Sequence, residues 1–222
     1  MSGFILKLIA AVTMLIDHAG LMLFPSAGWM RAVGRLSMPL YAYLLAEGFR
    51  YTHDRLRYFW QIFLLGAACQ LVYALAGYEL LLGILIDFSI AIALMALAER
   101  AKRAVRESDR LWPLWGGALL AAVAAAYLLC LAVDVDYGIC GILLPVWPSL
   151  FEKREHRLAA FAAGLLALCL SLGGNQWFSL LSLPLLLLYS GKPGRVRLKW
   201  FFYVFYPAHL AALAGVQWLM AR

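Results

Sequence analysis

Hydrophobic positions in this chain come in long unbroken runs, without the three-to-four residue alternation of a soluble amphipathic helix or the strict alternation of a strand. Nine apolar segments can be drawn, about Phe4 to Phe24, Met30 to Arg50, Tyr58 to Gly77, Leu80 to Ala98, Leu111 to Val133, Tyr137 to Phe151, Leu158 to Gly173, Gln176 to Tyr189 and Leu198 to Met220. The longer ones match the roughly 20 residues that a helix needs to cross a bilayer. Several later ones are shorter, and Tyr137 to Phe151 contains Pro145 and Pro148, which predicts a kinked or partial span. No repeat at a fixed period and no long linker divides the chain. The pattern therefore predicts one all-α domain over residues 1–222, a polytopic transmembrane helix bundle of about nine spans.

The polar positions between these runs set an orientation. Arg50 to Arg57, Glu99 to Arg110, Lys153 to Arg157 and Gly191 to Lys199 together hold fifteen of the nineteen Lys and Arg residues. The alternate connections, Pro25 to Trp29, Gly77 to Glu79, Asp134 to Asp136 and Gly173 to Gln176, hold none. Basic loops are retained on the cytoplasmic side, so the alternation predicts a cytoplasmic N-terminus and a C-terminus outside. Losing one span would destroy it.

Composition narrows the class further. The chain is 65% hydrophobic and 14% charged, with a formal charge of +7. A soluble domain carries about a quarter charged residues, and one soluble core cannot hide this much apolar surface. The positive charge lies in the short connections, so it reads as a topology signal touching the lipid bilayer, and no nucleic-acid partner is expected. Cys69, Cys130, Cys140 and Cys169 sit in apolar runs without metal-ligand spacing, which predicts buried small hydrophobes and no metal site. The first run is read as a span and not as a cleaved leader, because Asp17-His18 stands where a small-residue cleavage site belongs.

Ionisable groups inside the apolar runs carry the candidate chemistry, since each costs roughly 2.5–3.5 kcal/mol to insert and is tolerated mainly inside a bundle. His18 lies six residues before Phe24, about 9 Å below the outer boundary at 1.5 Å per residue. Arg35 and Asp87 enter their runs from the same side to similar depth, about 10 Å for Asp87. Asp17, His18, Arg35 and Asp87 are thus expected to share one layer and neutralise one another. Asp17 points about 100° away from His18 around the helix, so it is a poor partner for the imidazole within that helix and Asp87 is the better candidate. Near the opposite boundary, Lys7 and Glu47 are expected to form an ion pair between sequential antiparallel helices. The last run adds Tyr203, Tyr206, Pro207 and His209, with Tyr206 and His209 on one face. A structural histidine bonded to a neighbouring helix remains the alternative for His18.

Several stretches resemble the TraX family: Leu6 to Gly20 with its Ile16-Asp17-His18, Gly34-Arg35 followed by Met38-Pro39 and Glu47-Gly48-Phe49-Arg50, Asp136-Tyr137-Gly138 with Gly141, and Phe202 to His209. The resemblance spans nearly the whole chain and extends to the wider superfamily of transmembrane acyltransferases. Acyltransferase-three proteins carry an arginine eleven positions before a key histidine on the first helix. Lys7 and His18 keep that spacing, but lysine lacks the planar fork that grips phosphate in two places.

The resemblance implies a membrane-bound acyltransferase of a bacterial inner membrane. It would move an acetyl or other acyl group from cytosolic acyl-CoA, a cosubstrate used without metal, to an amine or hydroxyl of an envelope peptide or glycan, a pilin N-terminus among them. On this reading His18, Asp87 and Arg35 are catalytic, with His18 as general base or transient acyl carrier. Tyr206, His209, Asp17 and Tyr203 line the acceptor side, and Lys7, Glu47, Arg50 and Lys199 meet the cofactor. The alternatives are a small-molecule or proton-coupled transporter that uses the same buried charges as a relay, and an assembly partner without chemistry.

Overall fold

The computed structural model describes residues 1–75, 83–194 and 199–220, with residues 199 and 200 described as backbone only. Among the described residues the chain is helical and contains no strand. The elements are α1 (Gly3–Met22), α2 (Gly28–Gly34), α3 (Ser37–Tyr51), α4 (Arg55–Leu75), α5 (Ile84–Arg106), α6 (Trp112–Ala132), α7 (Gly138–Leu143), α8 (Val146–Ser149), α9 (Arg154–Leu172), a 3₁₀ helix (Gly174–Leu181), α10 (Ser182–Leu187) and α11 (Lys199–Met220).

Four of these, α1, α4, α6 and α9, are long and apolar enough to cross a membrane. Their side chains are arranged as lipid contact requires. In α6 Ala126 alone is buried, while Leu114, Leu120, Leu128 and Leu131 are exposed. Hydrophobic surface left outside in this way is costly in water and neutral in hydrocarbon, so the chain is a membrane protein.

The second apolar run, drawn as one helix, is broken. Pro39 has no N–H to give the carbonyl of Arg35, and its ring would collide with that carbonyl in a continuous helix. The helix therefore stops at Gly34 and restarts at Ser37, with Pro39 in the first turn of α3, where its missing donor costs nothing. The expected kink in the sixth run is present, as α7 ends at Leu143 and α8 begins after Pro145. Gly173 and Gly174, with φ of 64° and 50°, take the left-handed backbone that closes α9 and starts the 3₁₀ helix. Meanwhile α5 runs on to Arg106, so most of the basic stretch from Glu99 is helix. The Gly77 to Glu79 connection, the start of the Leu80 run, Arg195, Arg197, Leu198 and Arg222 lie outside the described residues.

Helices in lipid gain little from the hydrophobic effect on meeting one another, so close packing and polar bonds hold the bundle. A Cβ on Gly66 of α4 would lie 2.9 Å from Ile86 Cδ1 and 3.1 Å from Leu85 Cβ of α5, so only glycine admits this approach. Leu6 and Ala10 of α1, Leu40 and Tyr43 of α3, Ile92 and Met95 of α5, and Phe161 and Leu165 of α9 fill the centre. Tyr43 meets Phe161 edge-on at 5.3 Å between centroids.

The basic connections interlock at one end of the bundle. Arg55 pairs with Glu99, Arg106 with Glu152, Lys102 Nζ donates to the Ser149 carbonyl at 2.9 Å, and Arg154 donates to the carbonyls of Leu187 and Tyr189. Glu47, expected to meet Lys7, is instead 2.9 Å from Arg157 and 3.6 Å from Arg50. Arg157, assigned by sequence to a loop, is buried at the start of α9, and a buried guanidinium demands a carboxylate.

Candidate functional site

Two cavities open between the helices. The first, about 370 Å³, is lined by Asp17 and His18 of α1, Arg31 of α2, Arg35, Asp136 and Tyr137, among others. The second, about 660 Å³, is lined by Lys7, Arg57, Gln61, Tyr58, Phe202 and Tyr203, among others. Leu85 and Tyr206 line both and so form their common wall. Lys7 and His18 lie eleven residues apart on one helix. These two residues therefore sit about 16 Å apart along α1.

His18 is half-buried on the wall of the first cavity, and its Nδ1 lies 2.8 Å from Nε2 of His209 in α11. His209 is itself buried, with Nδ1 2.8 Å from the Phe205 carbonyl one turn earlier. The rings of His18 and His209 lie 5.0 Å apart, and Phe205 stacks on His209 at the same spacing. Sequence reasoning placed both histidines among the site residues and put Tyr206 on the face of His209, and their rings meet edge-on at 5.7 Å. It did not pair His18 with His209. Depth estimates on two separate helices do not reveal which faces meet.

The expected neutralisation of the outer layer takes another form. Asp17 does not share Arg35 but binds Arg31, whose Nη1 lies 2.7 Å from Asp17 Oδ2. Gly34 allows this, since a Cβ there would fall 2.1 Å from Asp17 Oδ1. Arg35 turns instead to neutral partners, donating from Nη1 to Tyr137 Oη at 3.3 Å and to Gln176 Oε1 at 3.4 Å, with Tyr137's ring beneath it. No carboxylate of the described residues lies within 4 Å of Arg35.

Asp87 is fully buried in the first turn of α5, and neither carboxyl oxygen has a hydrogen-bond partner. It reaches neither His18 nor Arg35, so the expected partnership of these three is not formed. Arg35 meets Tyr137 and Gln176 instead.

Asp136, in the connection before α7, is exposed and lines the first cavity. The surrounding protein pushes its carboxyl pKa up, with Arg35 the largest opposing influence. Among the expected cofactor residues, Lys7 lines the second cavity, while Glu47 and Arg50 belong to the ion-pair cluster with Arg157. The side chain of Lys199 lies outside the described residues. Tyr203 lines the second cavity, not the first.

The residues around the first cavity that sequence reasoning did not place in the site are Arg31, Asp136, Tyr137 and Gln176. Arg31 stands one turn before Arg35 on the same apolar run, a signal that a cation pair faced one cavity. Gln176 carried no such signal, since a lone amide at a helix start is usually a cap.

The geometry can bind an anion at Arg35, hold a neutral imidazole at the cavity wall and admit a second ligand from the Lys7 end. Among the described residues there is no cluster of three metal-ligating side chains.

Comparison with known proteins gives the chain its context. The family described as TraX protein matches residues 2–217. Protein TraX of Escherichia coli is 30% identical over 94% of this chain and 84% of its own length. A protein described as "Probable fimbrial assembly protein FimC" from Dichelobacter nodosus is 29% identical over 97% of this chain and 96% of its own. No solved structure matches.

Proposed function

We propose a function from one premise: the chain belongs to the TraX family. The protein is read as a membrane-bound acyltransferase that moves an acetyl group from cytosolic acetyl-CoA to an amine or hydroxyl acceptor at the bacterial inner membrane. The relative described as a fimbrial assembly protein makes the terminal amine of a pilus subunit the first acceptor to try. An envelope glycan is the second.

One observation carries this reading. The two cavities stand back to back across Tyr206 and Leu85, one rimmed by Lys7 and Arg57 and the other walled by His18. Phosphates of the CoA would meet Lys7 and Arg57, and the pantetheine arm would reach toward Tyr206. The acceptor would occupy the first cavity, where His18 Nε2 removes its proton as the nitrogen or oxygen attacks the thioester carbonyl. A cation such as Arg35 suits the negative charge that develops on the carbonyl oxygen. When the C–S bond breaks, the CoA thiolate recovers the proton from His18.

Nine passes with the N-terminus in the cytoplasm complete the reading. It is supported by the meeting of the basic connections at one bundle end, which the positive-inside rule assigns to the cytosol. Lys7 then faces the compartment that holds acyl-CoA.

In lipid nanodiscs with acetyl-CoA and a peptide amine, His18→Ala is expected to lower CoA release by on the order of 10²-fold or more. Undiminished release removes His18 from the chemistry. A transporter also fits two cavities divided by a thin wall, and calorimetry separates the two. Acetyl-CoA binding that weakens in Lys7→Ala/Arg57→Ala supports transfer, and absent binding favours transport.

A further inference from the structure

The bond from His209 to a backbone carbonyl fixes more than the position of its ring. A carbonyl oxygen can only accept, so the 2.8 Å contact to Phe205 requires the hydrogen of His209 on Nδ1. In a neutral imidazole the other nitrogen is then an acceptor, and Nε2 of His209 faces Nδ1 of His18 at 2.8 Å. The hydrogen between the rings therefore belongs to His18 Nδ1. By elimination His18 Nε2 keeps its lone pair, and among the described residues no side chain or carbonyl bonds it. His18 itself lines the first cavity.

We propose that His209 is a positioning residue: the chain Phe205 carbonyl, His209, His18 holds His18 as its Nδ1–H tautomer and leaves Nε2 as the basic atom toward the cavity. The inference deepens the reading of His18 as the base and rests on it for its meaning in catalysis. It replaces the expectation that His209 lines the acceptor side, since His209 lines neither cavity.

The arrangement also gives the proton a second seat. When Nε2 of His18 takes a proton from the acceptor, the hydrogen on Nδ1 can cross 2.8 Å to His209 Nε2. The positive charge then sits on His209, whose Nδ1–H already points at a carbonyl dipole. When CoA leaves, the hydrogen returns to His18 Nδ1 and the Nε2 proton departs with the thiolate, so the pair ends as it began.

The tautomer is measured without turnover. The other two histidines, His53 and His156, are exposed, and His53→Gln/His156→Gln leaves two rings to assign. Nitrogen-15 NMR of histidine-labelled protein in nanodiscs is expected to show both remaining rings as Nδ1–H. In the same background His209→Ala is expected to lose the Nδ1–H signal of His18 in favour of Nε2–H, and His209→Gln, which keeps an acceptor near Nε2, to retain it. His18 found as Nε2–H in the unsubstituted pair overturns the proposal, even if His209→Ala fails to fold. So does a His18 tautomer that His209→Ala leaves unchanged. Kinetics then give the catalytic arm, with kcat for CoA release falling roughly 10²-fold in His209→Ala at unchanged KM. Lost CoA release with an intact tautomer, or the reverse, tells failure of the transferase reading from failure of this one.

Discussion

Glu47 and Arg157 lie 2.9 Å apart with both side chains buried, so each neutralises a charge that lipid and protein would otherwise leave unsolvated. Replacing Glu47 by alanine strands the guanidinium, and a loss of about 3–5 kcal/mol is expected, read as a lowered midpoint in detergent-induced unfolding. Gly34→Ala forces a Cβ into Asp17 and parts it from Arg31. About 1–3 kcal/mol is expected there by the same measurement. Asp136 gives a pH signature. Its carboxyl titrates above the usual 3.8 in the folded protein, so the folded state binds more protons than the unfolded one across that window. Stability should therefore fall as pH rises from about 3.8 through the raised value, and thermal midpoints of Asp136→Asn should lack that fall. His18 and His209 were legible as single residues because a buried imidazole is conspicuous in an apolar run. Their partnership was not, because residue depth leaves rotation about the helix axis unspecified.

Helix existence was readable where the apolar run was long: α1 and α6 fall within two residues of where hydrophobicity alone puts them, while α9 begins at Arg154, inside the stretch drawn as a basic connection. The break between α2 and α3 was written in the sequence as Pro39, yet the apolar pattern ran through it. That pattern reports depth in lipid and is blind to which backbone donors exist. Arg35, at that break, bonds Tyr137 and Gln176 and not Asp87, so the expected charge cluster does not form. The small residues that bring α4 and α5 together give a test at this scale. Gly66→Leu is expected to push α4 off α5 at a cost of about 1–3 kcal/mol, measured as a lower thermal midpoint, and to disturb the first cavity, which Gly66 and Leu85 line.

The whole molecule has two dissimilar ends. One is bound together by Arg55–Glu99, Arg106–Glu152, Lys102 and Arg154, and the other gathers Asp17, Arg31, Arg35, Tyr137 and Gln176. The proposed orientation puts the first of these ends in the cytosol. In a cysteine-free background, His53→Cys and His156→Cys should react with an impermeant maleimide in inverted vesicles and stay unlabelled in intact cells. Labelling from outside would overturn the proposed orientation.

Leu85 and Tyr206 are the residues that the two cavities share. A coupling membrane stores its electrochemical gradient only while no water file runs through it. On the proposed reading, with the two cavities approached from opposite sides, the phenol and the leucine they share would be part of the barrier to protons. Trimming Tyr206 to glycine should announce itself as acid leak into proteoliposomes carrying an internal pH dye.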